Sequence, residues 1–380
     1  MSVHSGENSL LRAWQEEAAS FVDQHLAPYA NQFDQTEQIP GEFIGQLAQK
    51  GFLSAMLPAE YGGRNFDMIT LGILAEEIGR GCSSVRSLLT VHGMVIQAIY
   101  KWGTRDQKTR WLPSLAAGES IGAFALSEEQ AGSDVQGLQT VAVETEDAYW
   151  ITGVKKWTTF GQIADVFLVF ALLDGQPSAF LIPRESPGVR VKKLTGILGT
   201  RASMLAEIHF DRCRISKDAL IGKKGFGLSH VATSCLDYGR YTIAWGCVGI
   251  AEACLRDSLK YTSSRKQFGV YLREQQLIQK MITEMVSGVK AARLLCMRAG
   301  ELKDAGHPEA MMETWVAKYF ASTTATKTAN QAVQIHGANG CSPDYAVQRY
   351  LRDSKVMEII EGSTQMHEIL IATHAYTTLD

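Results

Sequence analysis

From Leu10 to about Gly118 apolar residues recur at three- and four-residue steps, the period of helices that bury one face. Trp14, Ala18, Phe21, Val22 and Leu26 make the first such stripe, and Pro28 marks a boundary or kink soon after. A second helix is predicted over 41–50, with Phe43, Ile44 and Leu47 inward, and further helices over 69–78 and 84–102. Pro58-Ala59-Glu60-Tyr61-Gly62-Gly63 is loop chemistry, and 103–107 reads as a turn and cap before another short helix. Past Gly118 the period changes. Residues 123–126, 141–143, 149–151, 166–170, 179–182 and 208–210 are short runs rich in aromatic and β-branched side chains, separated by Gly, Pro, Asp and Ser. They predict an antiparallel barrel or sandwich over about 121–225. From Leu228 the helical period returns in longer segments. Ile243, Cys247, Ala251, Cys254, Ser258 and Thr262 make one narrow stripe; Leu277, Met281, Met285, Gly288, Ala292 and Leu295 make a second, read as core. Helices over about 310–335 and 362–376 complete a set whose small contact residues suit a four-helix bundle.

A chain of 380 residues exceeds one ordinary core and predicts two or three domains. The net charge of -3 gives no reason to expect nucleic acid or an acidic membrane surface as partner. Residues 1–11 lack the pattern of a signal peptide, and no apolar run is long enough to span a bilayer. The seven cysteines are scattered without a C-x-x-C pair, so buried thiols in a reducing compartment are expected rather than disulfides or zinc ligands. A cytoplasmic protein is the expectation.

Familiar catalytic signatures are absent: no G-x-G-x-x-G after a strand, no P-loop, no H-E-x-x-H and no nucleophile elbow. The nine histidines lack metal-ligand spacing, so no metal is expected, and His92 is given no role. Weaker signals remain. Ile359 and Ile360 run into Glu361 and Gly362, and a carboxylate among apolar neighbours becomes a proton acceptor near neutrality. A surface Glu at a helix end would look the same. Leu126-Ser127-Glu128-Glu129-Gln130-Ala131-Gly132-Ser133-Asp134 ends in a turn suited to a phosphate or a ring carbonyl, though such turns are common. Gly153-Val154-Lys155-Lys156-Trp157-Thr158-Thr159 puts an indole and hydroxyls on a strand, either for a flat heteroaromatic ring or as ordinary packing. Arg265-Lys266-Gln267-Phe268-Gly269 ends a long helix, where Arg265 meets a diphosphate or merely offsets the helix dipole.

These three blocks, with 334–340 and 352–365, stand in an order and at separations that resemble the acyl-CoA dehydrogenase family of flavoproteins over residues 10–376. The resemblance implies an α+β chain with an N-terminal helical domain (1–120), a middle β-barrel (121–225) and a C-terminal four-helix bundle (226–380). It implies FAD as cofactor. Phe124, Leu126, Ser127, Gly132 and Ser133 match the loop around the flavin ring and phosphates, and Trp157 and Thr159 match the pair that covers the flavin near its reactive N5. Arg265 and Phe268 match residues that reach FAD across a subunit boundary, which implies a homodimer or homotetramer. Gln334, Gly337 and Ala338 match the loop on its adenosine half, and Ser363 and Gln365 match flavin contacts. Glu361 matches the catalytic base; Asp237, Arg240 and Gly362 match positions at the bound thioester. Some family members carry the base at the position of Gly239, where a glycine cannot serve.

Three positions depart from the family pattern: Glu129 for proline, Phe160 for asparagine and Ala338 for glycine. Residues 82–87, 237–240, 244–250 and 356–363 are similar to the subgroup that makes hydroxymalonyl, methoxymalonyl or aminomalonyl extender units on an acyl carrier protein for polyketide pathways. The resemblance therefore implies an FAD-dependent dehydrogenase of acyl thioesters, acting on a three-carbon group held on carrier protein or CoA and passing electrons to an unidentified acceptor. A conventional short-chain acyl-CoA dehydrogenase, and a flavin-binding protein of little activity, are the alternatives.

Overall fold

The computed structural model describes residues 3–377. The outermost residues of the domains expected over 1–120 and 226–380, namely 1–2 and 378–380, lie outside the described residues, as do the first two of the stretch 1–11 read for a signal peptide. The chain opens with helices α1 (Val3–Phe21), α2 (Ala30–Thr36), α3 (Gly41–Gln49), α4 (Met68–Gly81), α5 (Ser83–Trp102) and α6 (Arg105–Ala116). Caps written in the sequence set their starts. The Asp67 carboxylate accepts from the Thr70 N–H before α4, and Thr104 with Gln107 forms a reciprocal capping box before α6.

Strands follow: β1 (Gly122–Ala125), β2 (Val141–Glu144), β3 (Ala148–Thr158), β4 (Val166–Leu173), β5 (Gln176–Pro183), β6 (Val189–Lys193), β7 (Ala206–Ser216) and β8 (Leu220–Ile221). Their order is β6-β7-β3-β2-β4-β5-β8, with β1 against β4. The expectation of an all-antiparallel sheet is corrected here, because β1 and β2 both pair with β4 in parallel. Short apolar runs carry no direction; a parallel pair needs a long connection, and the β2–β3 hairpin lies within it. The sequence also gave no sign of β6 or β8. β4 shows why its run is uninterrupted: Val166, Leu168 and Phe170 join the core shared with the helices, while Phe167 and Val169 fill the core of the β domain.

The last part holds α7 (Thr233–Ser264), a small hairpin β9 (Lys266–Gln267) and β10 (Val270–Tyr271), then α8 (Gln276–Asp304), α9 (Ala310–His336), α10 (Val347–Met357) and α11 (Thr364–Thr377). All six residues of the first small-residue stripe are buried in α7. The second is core only in part: Met285 and Ala292 are buried, but Leu277 is 75% exposed. Cys341 likewise is exposed, while the other cysteines are buried free thiols. Glycines let α4 lie directly on α7. A Cβ at Gly72 would meet the Trp245 ring at 2.3 Å, and one at Gly249 would meet the Glu76 carbonyl at 2.1 Å. His92, unassigned from sequence, ties three elements together: its Nδ1 accepts from the Gly122 N–H and its Nε2 donates to the Leu115 carbonyl.

Candidate active site

α10 ends at Met357, and the chain then turns through two left-handed residues, Glu361 (φ 56°) and Gly362 (φ 94°). A glutamate rarely adopts that conformation, so neighbouring groups must hold it. Two cations do so. Arg240 Nε donates to the Glu361 carbonyl at 2.9 Å, and Lys318 Nζ donates to the Gly362 carbonyl at 2.7 Å. His367 donates from Nδ1 to the Ser363 carbonyl at 3.0 Å and lies against Gly362.

The Glu361 side chain reaches α7 at Gly239, where a Cβ would sit 2.8 Å from its carboxylate carbon. Residue 361 is partly accessible, yet its Oε2 is sealed from solvent and has no hydrogen-bond partner. Burial pushes its pKa up to about 7, against the pull of Arg240, Lys318 and Arg86. Lys318 is wholly buried, and desolvation brings its own pKa down to about 8. The His367 Nε2 is buried without a partner, and burial lowers that ring to about 4, so it is neutral at physiological pH. A base titrating near 7 inside a strained, cation-tethered turn suits proton abstraction.

Asp237 and Arg240, two residues expected at the thioester, share this end of α7 with Gly239. Asp237 pairs with Lys303 of α8 and leaves its Oδ1 buried without a partner. Ser363 and Gln365 follow Glu361 directly at the start of α11.

The residues expected at the flavin ring form a second group, on the β domain. Lys156 N–H donates to the Ser127 carbonyl at 2.8 Å, which draws the loop of Leu126, Ser127, Gly132 and Ser133 to the strand carrying Trp157. Trp157 sits at φ 60° in a break of the β3–β7 register and presents an indole that is 53% exposed. Thr159 follows half-buried, and Phe124 packs its ring on Phe170 at 5.1 Å. Nothing lies within 4 Å of where a Cβ of Gly132 or Gly337 would be, so the backbone there is open to a ligand. Thr158 Oγ1 and Ser203 Oγ are buried without partners beside the indole's strand. These residues fit a flavin: a flat exposed ring, orphaned donors behind it and bare backbone at the loop.

Arg265, Phe268, Gln334, Gly337 and Ala338 lie elsewhere. Tyr261 joins them by stacking on His336 at 4.1 Å and accepting from Asn339 at 3.0 Å. Twenty-six helical residues separate Gly239 from Arg265, about 39 Å at 1.5 Å per residue. Phe268 is 96% exposed. Arg265 thus stands at the opposite end of α7 from the Glu361 carboxylate.

Sequence reasoning missed Arg86, Thr90, Lys155, Thr242, Lys318 and His367. A signal existed for two of them: Arg86 interrupts an apolar helix, and Lys318 sits on a row of small residues with Ala317 and Ala321.

Three family models match in succession: acyl-CoA dehydrogenase N-terminal domain over 9–119, middle domain over 123–213 and C-terminal domain over 225–376. The chain belongs to the acyl-CoA dehydrogenase family. It is 36% identical over 360 residues to the mitochondrial short-chain specific acyl-CoA dehydrogenase of Rattus norvegicus, covering 93% of this chain and 87% of that one. Among solved structures, butyryl-CoA dehydrogenase from Megasphaera elsdenii superposes with a TM-score of 0.92 at 30% identity, covering 96% of this chain and 98% of that one. FkbI, for biosynthesis of the methoxymalonyl extender unit of the Fk520 polyketide immunosuppressant, superposes at 0.87 with 31% identity, covering 96% and 99%. This acyl-CoA dehydrogenase family member is therefore an FAD-dependent oxidoreductase of acyl thioesters, with helical, β and helical domains in that order. Among the described residues no helix is long and apolar enough to cross a membrane, and no cluster of ligating side chains could hold a metal ion.

Proposed function

We propose that this dehydrogenase oxidises a three-carbon acyl group carried as a thioester on an acyl carrier protein, giving a hydroxymalonyl-type extender unit for polyketide synthesis. The observation that carries it is the Glu361 carboxylate, with one buried, unpartnered oxygen and a pKa near 7. Support for the carrier-bound substrate comes from the blocks at 82–87, 237–240, 244–250 and 356–363 and from the similarity to FkbI.

Phe124, Leu126, Ser127, Gly132, Ser133, Trp157, Thr159, Ser363 and Gln365 hold the flavin half of FAD. Arg265, Phe268, Gln334, Gly337 and Ala338 serve the adenosine half bound by a neighbouring copy, so the enzyme is a homodimer or homotetramer in the cytoplasm. Asp237, Arg240 and Gly362 line the thioester. Bound FAD supplies the two-electron oxidant that receives the C3 hydrogen of the hydrated 3-aldehyde as hydride. Glu361 takes the proton of one C3 hydroxyl, and the CH(OH)2 group becomes a carboxylic acid. Arg240 and Lys318 keep the Glu361 loop in place through its carbonyls. The His367 ring, lowered to about 4, is a weaker base than Glu361 at about 7, so the proton goes to the carboxylate.

A second reading, α,β-desaturation of a short acyl-CoA with Glu361 taking the α-proton, is favoured by the 36% identity to the rat short-chain enzyme. Anaerobic flavin bleaching separates the two. We expect the carrier-bound 2-hydroxy-3-oxopropionyl thioester to bleach the flavin and butyryl-CoA to leave it oxidised; rapid bleaching by butyryl-CoA without carrier protein would overturn the first reading.

A further inference from the structure

The base and the flavin residues sit on different domains, Glu361 just past α10 and Trp157 on β3. Chemistry between them needs a fixed separation, since a misplacement of about 1 Å can cost about 100-fold in rate. The loop 196–204, between β6 and β7, spans the two. Its Ala202 and Met204 are buried in the core shared with the helices, not in that of the β domain.

On one side the loop is fastened to α10. The Asp353 carboxylate, 2% exposed, accepts from the Thr200 N–H at 2.6 Å, and Arg352 donates to the Leu198 carbonyl at 3.0 Å. The backbones touch there: a Cβ at Gly199 would stand 2.3 Å from the Arg352 carbonyl oxygen. On the other side the loop is fastened to the flavin segment. The Phe160 N–H donates to the Ser203 carbonyl at 2.8 Å, and the Gln162 N–H to the Met204 carbonyl at 3.2 Å. Between the two attachments lies one short turn, closed by the Ser203 N–H donating to the Thr200 carbonyl at 2.9 Å. A third attachment is independent of α10: Glu37, after α2, accepts from the Gly196 N–H at 2.9 Å and pairs with Arg201.

Backbone strain marks the same places. Thr200 (φ 48°) and Met204 (φ 47°) in the loop, Trp157 (φ 60°) and Phe160 (φ 57°) in the flavin segment, and Glu361 (φ 56°) all take the left-handed conformation without being glycine. A β-branched threonine is an outlier there, and such strain persists only where the surroundings over-determine it. The Asp353 bond to the Thr200 N–H is one of those restraints.

We propose that Asp353 is a positioning residue: through Thr200 and Ser203 it holds the Glu361 turn in register with the segment that covers the flavin. This rests on Glu361 as the base and on the flavin lying at Trp157, and is the same whichever thioester is oxidised.

Hydrogen–deuterium exchange tests the coupling without turnover. In the unsubstituted, FAD-loaded protein the Thr200 and Phe160 amides should open together, with one dependence on urea. In Asp353→Ala, exchange should quicken about tenfold or more at 157–162 as well as at 196–204, whereas a purely local role would leave 157–162 unchanged. Stopped-flow absorbance adds the chemistry, with whichever of the carrier-bound 2-hydroxy-3-oxopropionyl thioester and butyryl-CoA bleaches the unsubstituted enzyme. The rate of flavin reduction should fall about 10- to 100-fold, while the thioester concentration giving half the maximal rate holds. Asp353→Asn keeps an oxygen acceptor for the Thr200 N–H and should restore the rate to within about threefold. Unchanged exchange at 157–162, or unchanged flavin reduction, in folded Asp353→Ala overturns the proposal. Should that variant fail to fold, separate opening of the Thr200 and Phe160 amides in the unsubstituted protein overturns it, and common opening supports it. Failure of the base reading looks different: Glu361→Gln then reduces its flavin at the normal rate while the coupled exchange persists.

Discussion

Two buried carboxylates in this molecule have opposite surroundings. Glu128, in the β domain, is saturated: its oxygens accept from the Thr140 N–H, the Thr140 hydroxyl, the Gln139 N–H and Lys155 Nζ at 2.6 to 3.0 Å. Lys155, itself wholly buried, also donates to the Leu126 carbonyl at 3.1 Å. Those bonds hold the Glu128 pKa below the ordinary carboxylate value despite burial. Glu361 keeps one oxygen bare, and its pKa moves the other way. A satisfied charge builds scaffold, and an unsatisfied one is left free for a ligand.

The contrast predicts four outcomes. Glu361→Gln should lower the rate of flavin reduction about 10²- to 10⁴-fold, the range for a lost general base, while FAD content and thermal midpoint hold or rise. Stopped-flow absorbance and a melting curve measure both. Lys155→Met should do the reverse. Leaving the Glu128 carboxylate buried without its cation costs about 3–5 kcal/mol in urea unfolding, with a smaller effect on the chemistry of the protein that remains folded. Adding Glu128→Leu should recover much of that loss.

The pH dependences should differ in sign. Only ionised Glu361 accepts a proton, so kcat/KM should rise with pH and level off above about 7. Its raised pKa favours the protonated fold, so that stability is full below the ordinary 4.5 and fades as pH climbs through about 7. Glu128, with a lowered pKa, contributes stability above 4.5 that is lost as acid protonates it. Melting curves from pH 4 to 8 on Glu361→Gln should show the upper slope gone. The smallest effect belongs to Gly239→Ala. Its methyl would stand 2.8 Å from the Glu361 carboxylate carbon, which should shift the base and slow turnover about tenfold, as about 1.4 kcal/mol does. The helix itself should gain up to about 1 kcal/mol.

Glu361 was legible because an apolar pair, a carboxylate and a glycine sit together, and because the blocks around it resemble a known family. Arg86 was legible only as an oddity, a cation in an apolar helix; Thr242 looked like any helical threonine. Nothing in linear order shows that Thr90 and Thr242, 152 residues apart, touch hydroxyl to hydroxyl. The parallel pairing of β1 and β2 with β4 was equally hidden, since alternation reports which face is buried and not which way the neighbour runs.

What the sequence by itself determined is the succession of helical, strand and helical periods, the caps, and the family of chemistry, because each is encoded over a few neighbouring residues. Tertiary structure alone decided which buried charges were paired. A charge's energy depends on groups brought within a few ångströms by packing, and only the folded chain says that Glu128 finds its lysine while a Glu361 oxygen and the Arg86 Nε–H stay without partners.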